Sequence, residues 1–239
     1  MAFLQSAPPR QPLFRAPAVV LWVIGILAAL HLARVNLPAD SADNIIEQFA
    51  LFPDRYGRAL LENHAISPLW AIVPFFSYMG LHANWTHLVI NSLWLLAFGP
   101  IVARRFGGVL FLTFFLICGL AGALAYLACN WGSTNPVIGA SGAISGLMAA
   151  GMRMLPGQAP WLQPGEAPLA PLFSRQILTF TALWTVINLL TATTGLGLGG
   201  EESGLVAWQA HLGGFAAGLL LCGAFDALRP RVVGAPLDS

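Results

Sequence analysis

The chain has 239 residues, of which 57% are hydrophobic and only 9% charged, with a formal net charge of +1. Soluble domains carry roughly 25% charged residues, so this composition excludes a soluble globular domain and points to a bilayer as solvent. The near-zero net charge gives no basic footprint, and no nucleic-acid partner is expected.

A helix crosses the hydrocarbon core with about 20 predominantly apolar residues. Six stretches qualify: 17–36, 84–103, 109–128, 137–155, 176–192 and 205–228. The predicted fold is an all-α polytopic membrane protein, a six-transmembrane-helix bundle over 17–228. A short cytoplasmic N-terminal tail, 1–16, precedes it and a cytoplasmic C-terminal tail, 229–239, follows. The first stretch is long for a signal-peptide core and lacks a small-x-small cleavage site, so it reads as a retained span. The outer loop after it, about 37–81, is long for a bundle connection. Its Ile45, Ile46, Phe49, Ala50 and Phe52 fit one face of a short helix, and the loop is expected to lie in the membrane interface. Span 4 is rich in Gly and Ala and belongs inside the bundle, away from lipid. The inner loop, 156–171, holds five prolines and reads as irregular. The glycine-rich stretch 194–204 reads as a flexible outer connection. It lacks the Gly-Lys-Ser/Thr ending of a phosphate loop, which discounts nucleotide binding.

Every basic residue is arginine, and the arginines set the orientation. Arg10, Arg15, Arg104, Arg105, Arg153, Arg175, Arg229 and Arg231 all fall on one side if the chain crosses six times. Both termini are therefore expected in the cytoplasm. Cys118, Cys129 and Cys222 match no zinc spacing, and Cys118 and Cys222 read as small buried hydrophobes. No metal and no cofactor is expected.

Polar groups inside a span cost free energy unless paired, so their positions carry information. In span 2, His87 and Asn91 share a helix face at i and i+4. Helical rise puts them about 5 and 10 Å below the start of the span. The same arithmetic puts Ser141 of span 4 about 6 Å down and His211 of span 6 about 9 Å down. Three separate helices thus carry polar groups in the same outer third. Gly142 and Gly146 on span 4, and Gly214 and Gly218 on span 6, are small-xxx-small pairs that let backbones approach. Ser141 and His211 each precede the first glycine of a pair, so close packing would join hydroxyl and imidazole. A serine needs such a base to act as nucleophile, and a tetrahedral oxyanion needs preorganised donors. The Ser141 N–H at a helix N-terminus, the Asn91 amide and His87 are the candidate donors. No Asp or Glu lies within the spans except Asp226, at the cytoplasmic end of span 6 and far from Ser141, so the expectation is a Ser–His dyad without an acid. Ser145 reads as a packing residue, and His31 as an interfacial histidine. Phe180 and Trp184, at i and i+4 on span 5, are expected to line a lateral path for substrate.

These residues resemble the rhomboid family of intramembrane serine proteases. The likeness covers about 17–228 and rests on three strings: His82, His87 and Asn91 as His-x4-His-x3-Asn; Gly139, Ser141 and Gly142 as Gly-x-Ser-Gly; and Ala210, His211, Gly214 and Gly218 as Ala-His-x2-Gly-x3-Gly. The resemblance implies hydrolysis of transmembrane protein substrates near their outer ends. Ser141 and His211 would be the catalytic dyad, His87 and Asn91 the oxyanion site, and His82 and Gly139 supporting residues. The implied location is the lipid bilayer of a bacterial cytoplasmic (inner) membrane. The sequence departs from the family pattern in three places. The first outer loop has no Trp-Arg pair. Ala103 and Arg104 stand where many members have an acidic residue. Ser145 stands where many have an aromatic that stacks on the histidine. Two other readings remain open on the residues alone: an inactive rhomboid-like protein that binds transmembrane helices, and a small transporter using His87, Asn91 and His211 as a polar path.

Overall fold

The computed structural model describes residues 16–61, 67–155, 167–194 and 207–229. Both tails, apart from Ala16 and Arg229, lie outside them, as do the proline-rich loop up to position 166 and the glycine-rich connection after Thr194. The described residues are helical apart from connections and one isolated antiparallel bridge between Leu51 and Val137. The fold is all-α.

Among the described residues, five helices are long and apolar enough to cross a membrane: α1 (Ala18–Val35), α6 (Trp85–Phe106), α7 (Gly108–Cys129), α9 (Arg175–Thr194) and α10 (Trp208–Leu228). Between α1 and α6 the chain forms short helices: α2 (Ala39–Phe49), α3 (Pro53–Leu61), α4 (Pro68–Ile72) and α5 (Pro74–Ser77), then a 3₁₀ turn, Tyr78–Gly80. The remaining apolar stretch becomes α8 (Ser141–Met154), only 14 residues. Its start corrects the expected span 137–155, because Val137–Ala140 is not helical. Fourteen residues reach about 21 Å, well short of a hydrocarbon core about 30 Å thick. Such a helix must hide inside protein, and 12 of its 14 residues are buried. It packs against α6, α7 and α10.

Apolar side chains at the periphery are exposed, including Trp22, Leu93, Val109 and Leu220. With five helices of spanning length, that outer surface is the face an integral membrane protein turns to lipid. Cys118 and Cys222 are buried and unpaired, as expected, while Cys129 is exposed. His31, near the end of α1, is 1% exposed and lies edge-on to Trp85, the first residue of α6, at 4.7 Å.

Glycine decides the central contact. A Cβ on Gly214 would overlap the Gly142 carbonyl oxygen, and one on Gly218 would overlap the Gly146 backbone. The two small-xxx-small pairs therefore meet as the sequence predicts, backbone against backbone. Gly122 of α7 joins them, with its Cβ position 2.7 Å from the Ala210 carbonyl. At the opposite end of α6 and α10 the chain is locked by charge. Arg105 Nε and Nη2 donate to Asp226 Oδ1 and Oδ2 at 2.6 and 2.9 Å, and Arg105 Nη1 donates to the Ala167 carbonyl at 2.8 Å. Arg153 donates to the Ala170 and Leu219 carbonyls at 3.1 and 2.8 Å. The acid absent from the end of span 2 is thus supplied to that end by Asp226 of α10.

The outer loop braces the segment that leads into α8. Leu51 and Val137 exchange backbone hydrogen bonds of 3.3 and 3.0 Å, and Asp54 N–H donates to the Ser133 carbonyl at 2.9 Å. α2 has no buried residue, and Ile45, Ile46 and Phe49 are half-buried along it. Ala50 and Phe52 lie beyond its end, which corrects the five-residue face: Ala50 caps the helix and Phe52 follows the bridge.

Candidate active site

Four of the sequence-predicted residues come from the N-terminal halves of α6, α8 and α10. His87 is the third residue of α6 and Asn91 lies one turn further in. Ser141 is the first residue of α8, and His211 the fourth of α10. Ser141 does not sit a turn down a helix, as the expected span 137–155 would place it. A non-helical segment carries the chain inward and α8 begins there. Ser141 therefore sits at a helix N-terminus, where unpaired backbone N–H groups and the positive end of the helix dipole are found.

The serine and the histidine meet. Ser141 Oγ lies 2.8 Å from His211 Nε2. The glycine seam between α8 and α10 accounts for this contact, because no side chain separates the two helices below it. Ser145, one turn after Ser141, is 2% exposed and its hydroxyl donates to the Ser141 carbonyl at 2.8 Å. That is the packing role the sequence suggests.

Gly139 connects this pair to α6. Its φ is +108°, a left-handed backbone that other residues rarely adopt. A Cβ there would stand 2.7 Å from His87 Nε2 and 3.6 Å from Asn91 Nδ2. A glycine is required twice over, by conformation and by space. The 139 peptide is pinned by its N–H, which donates to the Tyr78 carbonyl at 2.9 Å. His87 and Asn91 thus flank the chain two residues before Ser141. Asn84 Oδ1 caps α6 by accepting from the His87 N–H at 2.9 Å. Asn91 is 3% exposed, and its Nδ2 has no hydrogen-bond partner in the protein. A buried amide donor without a partner costs about 1–3 kcal/mol, which is tolerated where the donor has other work.

His82 sits behind His87, their ring centroids 5.0 Å apart. Its carbonyl accepts from Arg34 Nη2 at 2.8 Å, which ties the end of α1 to the start of α6. Burial, and then the neighbouring His87 and His31, push the His82 imidazole down to about 3, so it is neutral. Among the described residues no group of His, Cys, Asp and Glu could hold a metal ion.

Two residues of the site carry no motif. Tyr78 is fully buried, and its hydroxyl donates to the Gly119 carbonyl at 2.8 Å, close to the seam at Gly142. Asn188 of α9 is 2% exposed and places its Oδ1 2.7 Å from His211 Nδ1. One signal could have found Asn188: it is an amide inside an apolar span, which rarely goes unused. Phe180 and Trp184 of the same helix pack on α10. Phe180 stacks on Phe215 at 6.1 Å, and Trp184 lies 6.4 Å from both Phe215 and His211.

A buried short helix within a bundle of spanning helices, with a hydroxyl and an imidazole in contact at its head, defines an integral membrane protein with a site below its surface. The model of the Rhomboid domain matches residues 69–225, more than half of the chain. The chain therefore belongs to the rhomboid family. It is also similar to a protein named RHOMBOID-like protein 4 from Arabidopsis thaliana, with 32% identity over 142 residues. That match covers 59% of this chain and 31% of the plant protein, so the chain aligns with about a third of that relative's length.

Proposed function

We propose that this rhomboid-family protein is an intramembrane serine endopeptidase that cleaves transmembrane protein substrates. The observation that carries the reading is the 2.8 Å contact between Ser141 Oγ and His211 Nε2. In this reading His211 Nε2 takes the Ser141 proton as the oxygen attacks the scissile carbonyl. The tetrahedral oxyanion forms beside the α8 N-terminus. There the Ser141 N–H, the unpartnered Asn91 Nδ2 and His87 are the donors, each worth about 3 kcal/mol of barrier. His211 then gives its proton to the leaving amine, and water hydrolyses the acyl-enzyme by the same steps in reverse. Gly139 lets the chain pass close to the donors, and His82 supports His87. The unit that acts is 17–228, with tails 1–16 and 229–239 in the cytoplasm. The arginine distribution supports the placement of both tails in the cytoplasm, and the proposed setting is a bacterial inner membrane.

The test is fragment mapping in membranes that contain the wild-type chain or Ser141→Ala. The expected result is new termini within or beside transmembrane segments, present only with the wild type. Identical fragment sets would overturn the reading and favour a helix-binding protein without peptidase activity.

A further inference from the structure

The residues that resemble the family leave the orientation of His211 without a device, since Ser145 bonds to its own helix instead of meeting the ring. The structure supplies a partner from another direction. Asn188 Oδ1 lies 2.7 Å from His211 Nδ1. Its neighbours Ile187 and Leu189 are 43% and 41% exposed, yet Asn188 is 2% exposed, so its amide faces inward, on the side of α9 that carries Phe180 and Trp184 against α10.

The two ends of that amide are fixed by what each can do. Asn188 Nδ2 donates to the Trp184 carbonyl at 2.8 Å, one turn earlier on α9. A carbonyl oxygen can only accept, so the amide nitrogen must face Trp184 and the amide oxygen must face His211. The amide oxygen can also only accept, so the proton of a neutral His211 ring must sit on Nδ1. Nε2 is then left with its lone pair, directed at Ser141 Oγ. One side chain thereby selects the tautomer that a general base for Ser141 needs.

We infer that Asn188 is a positioning residue that holds His211 in the Nδ1–H tautomer and aims Nε2 at Ser141, a role that rests on the Ser141–His211 reading above. It does with a neutral group what an aspartate does in an acid-containing triad. Neutrality suits the place. A carboxylate on α9 would be an anion inside a span, whereas an amide bonded at both ends is inexpensive to bury.

The test uses the purified full chain carrying ¹⁵N-labelled histidine, with the His211 signals assigned by difference against His211→Gln. The wild type should give a protonated Nδ1 and an unprotonated Nε2. A wild-type ring protonated on Nε2 overturns the inference without any variant. Asn188→Leu, close in size and unable to accept, should lose that signature. It should also slow fluorophosphonate labelling of Ser141 by about 10²-fold or more, since base assistance is worth about 10²–10⁴. Asn188→Asp, which keeps the acceptor, should restore the signature and much of the labelling rate. Unchanged signature and rate in Asn188→Leu overturn the inference. A wild type that labels not at all defeats the Ser141–His211 reading instead, while the ¹⁵N signature still decides whether Asn188 sets the tautomer.

Discussion

The two helices that flank His211 hold it by opposite means. On one side α8 touches α10 through glycine, so that the Gly142 and Gly146 carbonyls fill the space that side chains at 214 and 218 would need. On the other side α9 turns Leu178, Leu183, Val186, Ile187, Leu189 and Leu190 outward and offers His211 the single amide of Asn188. The seam fixes where the imidazole is, through contacts that tolerate no added atom. The outer helix fixes how the ring is turned, through one hydrogen bond. Changes at the seam should therefore act on folding, and changes on α9 on rate.

The sharpest break of that comparison is Gly214→Leu. Its side chain has no room against Gly142, and the destabilisation should exceed about 4 kcal/mol, read as loss of folded protein in a detergent thermal melt. The charged end comes next. Arg105→Leu leaves the half-buried Asp226 with Arg229 at 3.3 Å in place of its bidentate partner, and should cost about 2–3 kcal/mol of stability. Its labelling rate, measured well below the melting point, should stay near that of the wild type. Asn91→Ala reverses that pattern. Its Nδ2 bonds nothing in the protein, so stability should hold while turnover falls about 10²-fold. Full turnover in this variant would remove Asn91 from the site.

His82 gives a pH test away from the seam. Its folded pKa is depressed from 6.5 to about 3, so the unfolded chain binds a proton that the native state refuses. The stability this contributes is complete above pH 6.5 and is lost as pH falls toward 3. Between pH 7 and pH 5 the loss should be on the order of 1–2 kcal/mol, and His82→Gln should make the acid limb of the thermal midpoint shallower by that amount. An equal slope in both proteins would contradict the assignment. The smallest effect belongs to α9. Phe180→Ala with Trp184→Ala thins the contact with Phe215, and cleavage should quicken by a few-fold, about 1 kcal/mol of barrier or less. Slower cleavage would argue that these rings support the site and do not restrict access to it.

Much of this was legible in the chain because the bilayer simplifies the reading. Apolar length locates spans, and a hydroxyl, amide or imidazole within one stands out. Ser141, His211, His87 and Asn91 were visible on that ground, and the glycine spacing foretold the seam. What escaped has physical causes too. Hydropathy cannot tell a buried short helix from a spanning one, so it starts α8 four residues early. The Leu51–Val137 bridge joins segments 86 residues apart, and periodicity says nothing about such pairs. Asn188 lay in a Thr-rich helix where one more polar residue gave little contrast, and its meaning depended on which way α9 faces.

The most direct test of the central claim is reaction of the folded protein with a fluorophosphonate, followed by peptide mass spectrometry to find the modified atom's residue. The account predicts one adduct, on Ser141, absent from His211→Ala. An adduct on Ser145, or full modification of Ser141 without His211, would contradict it.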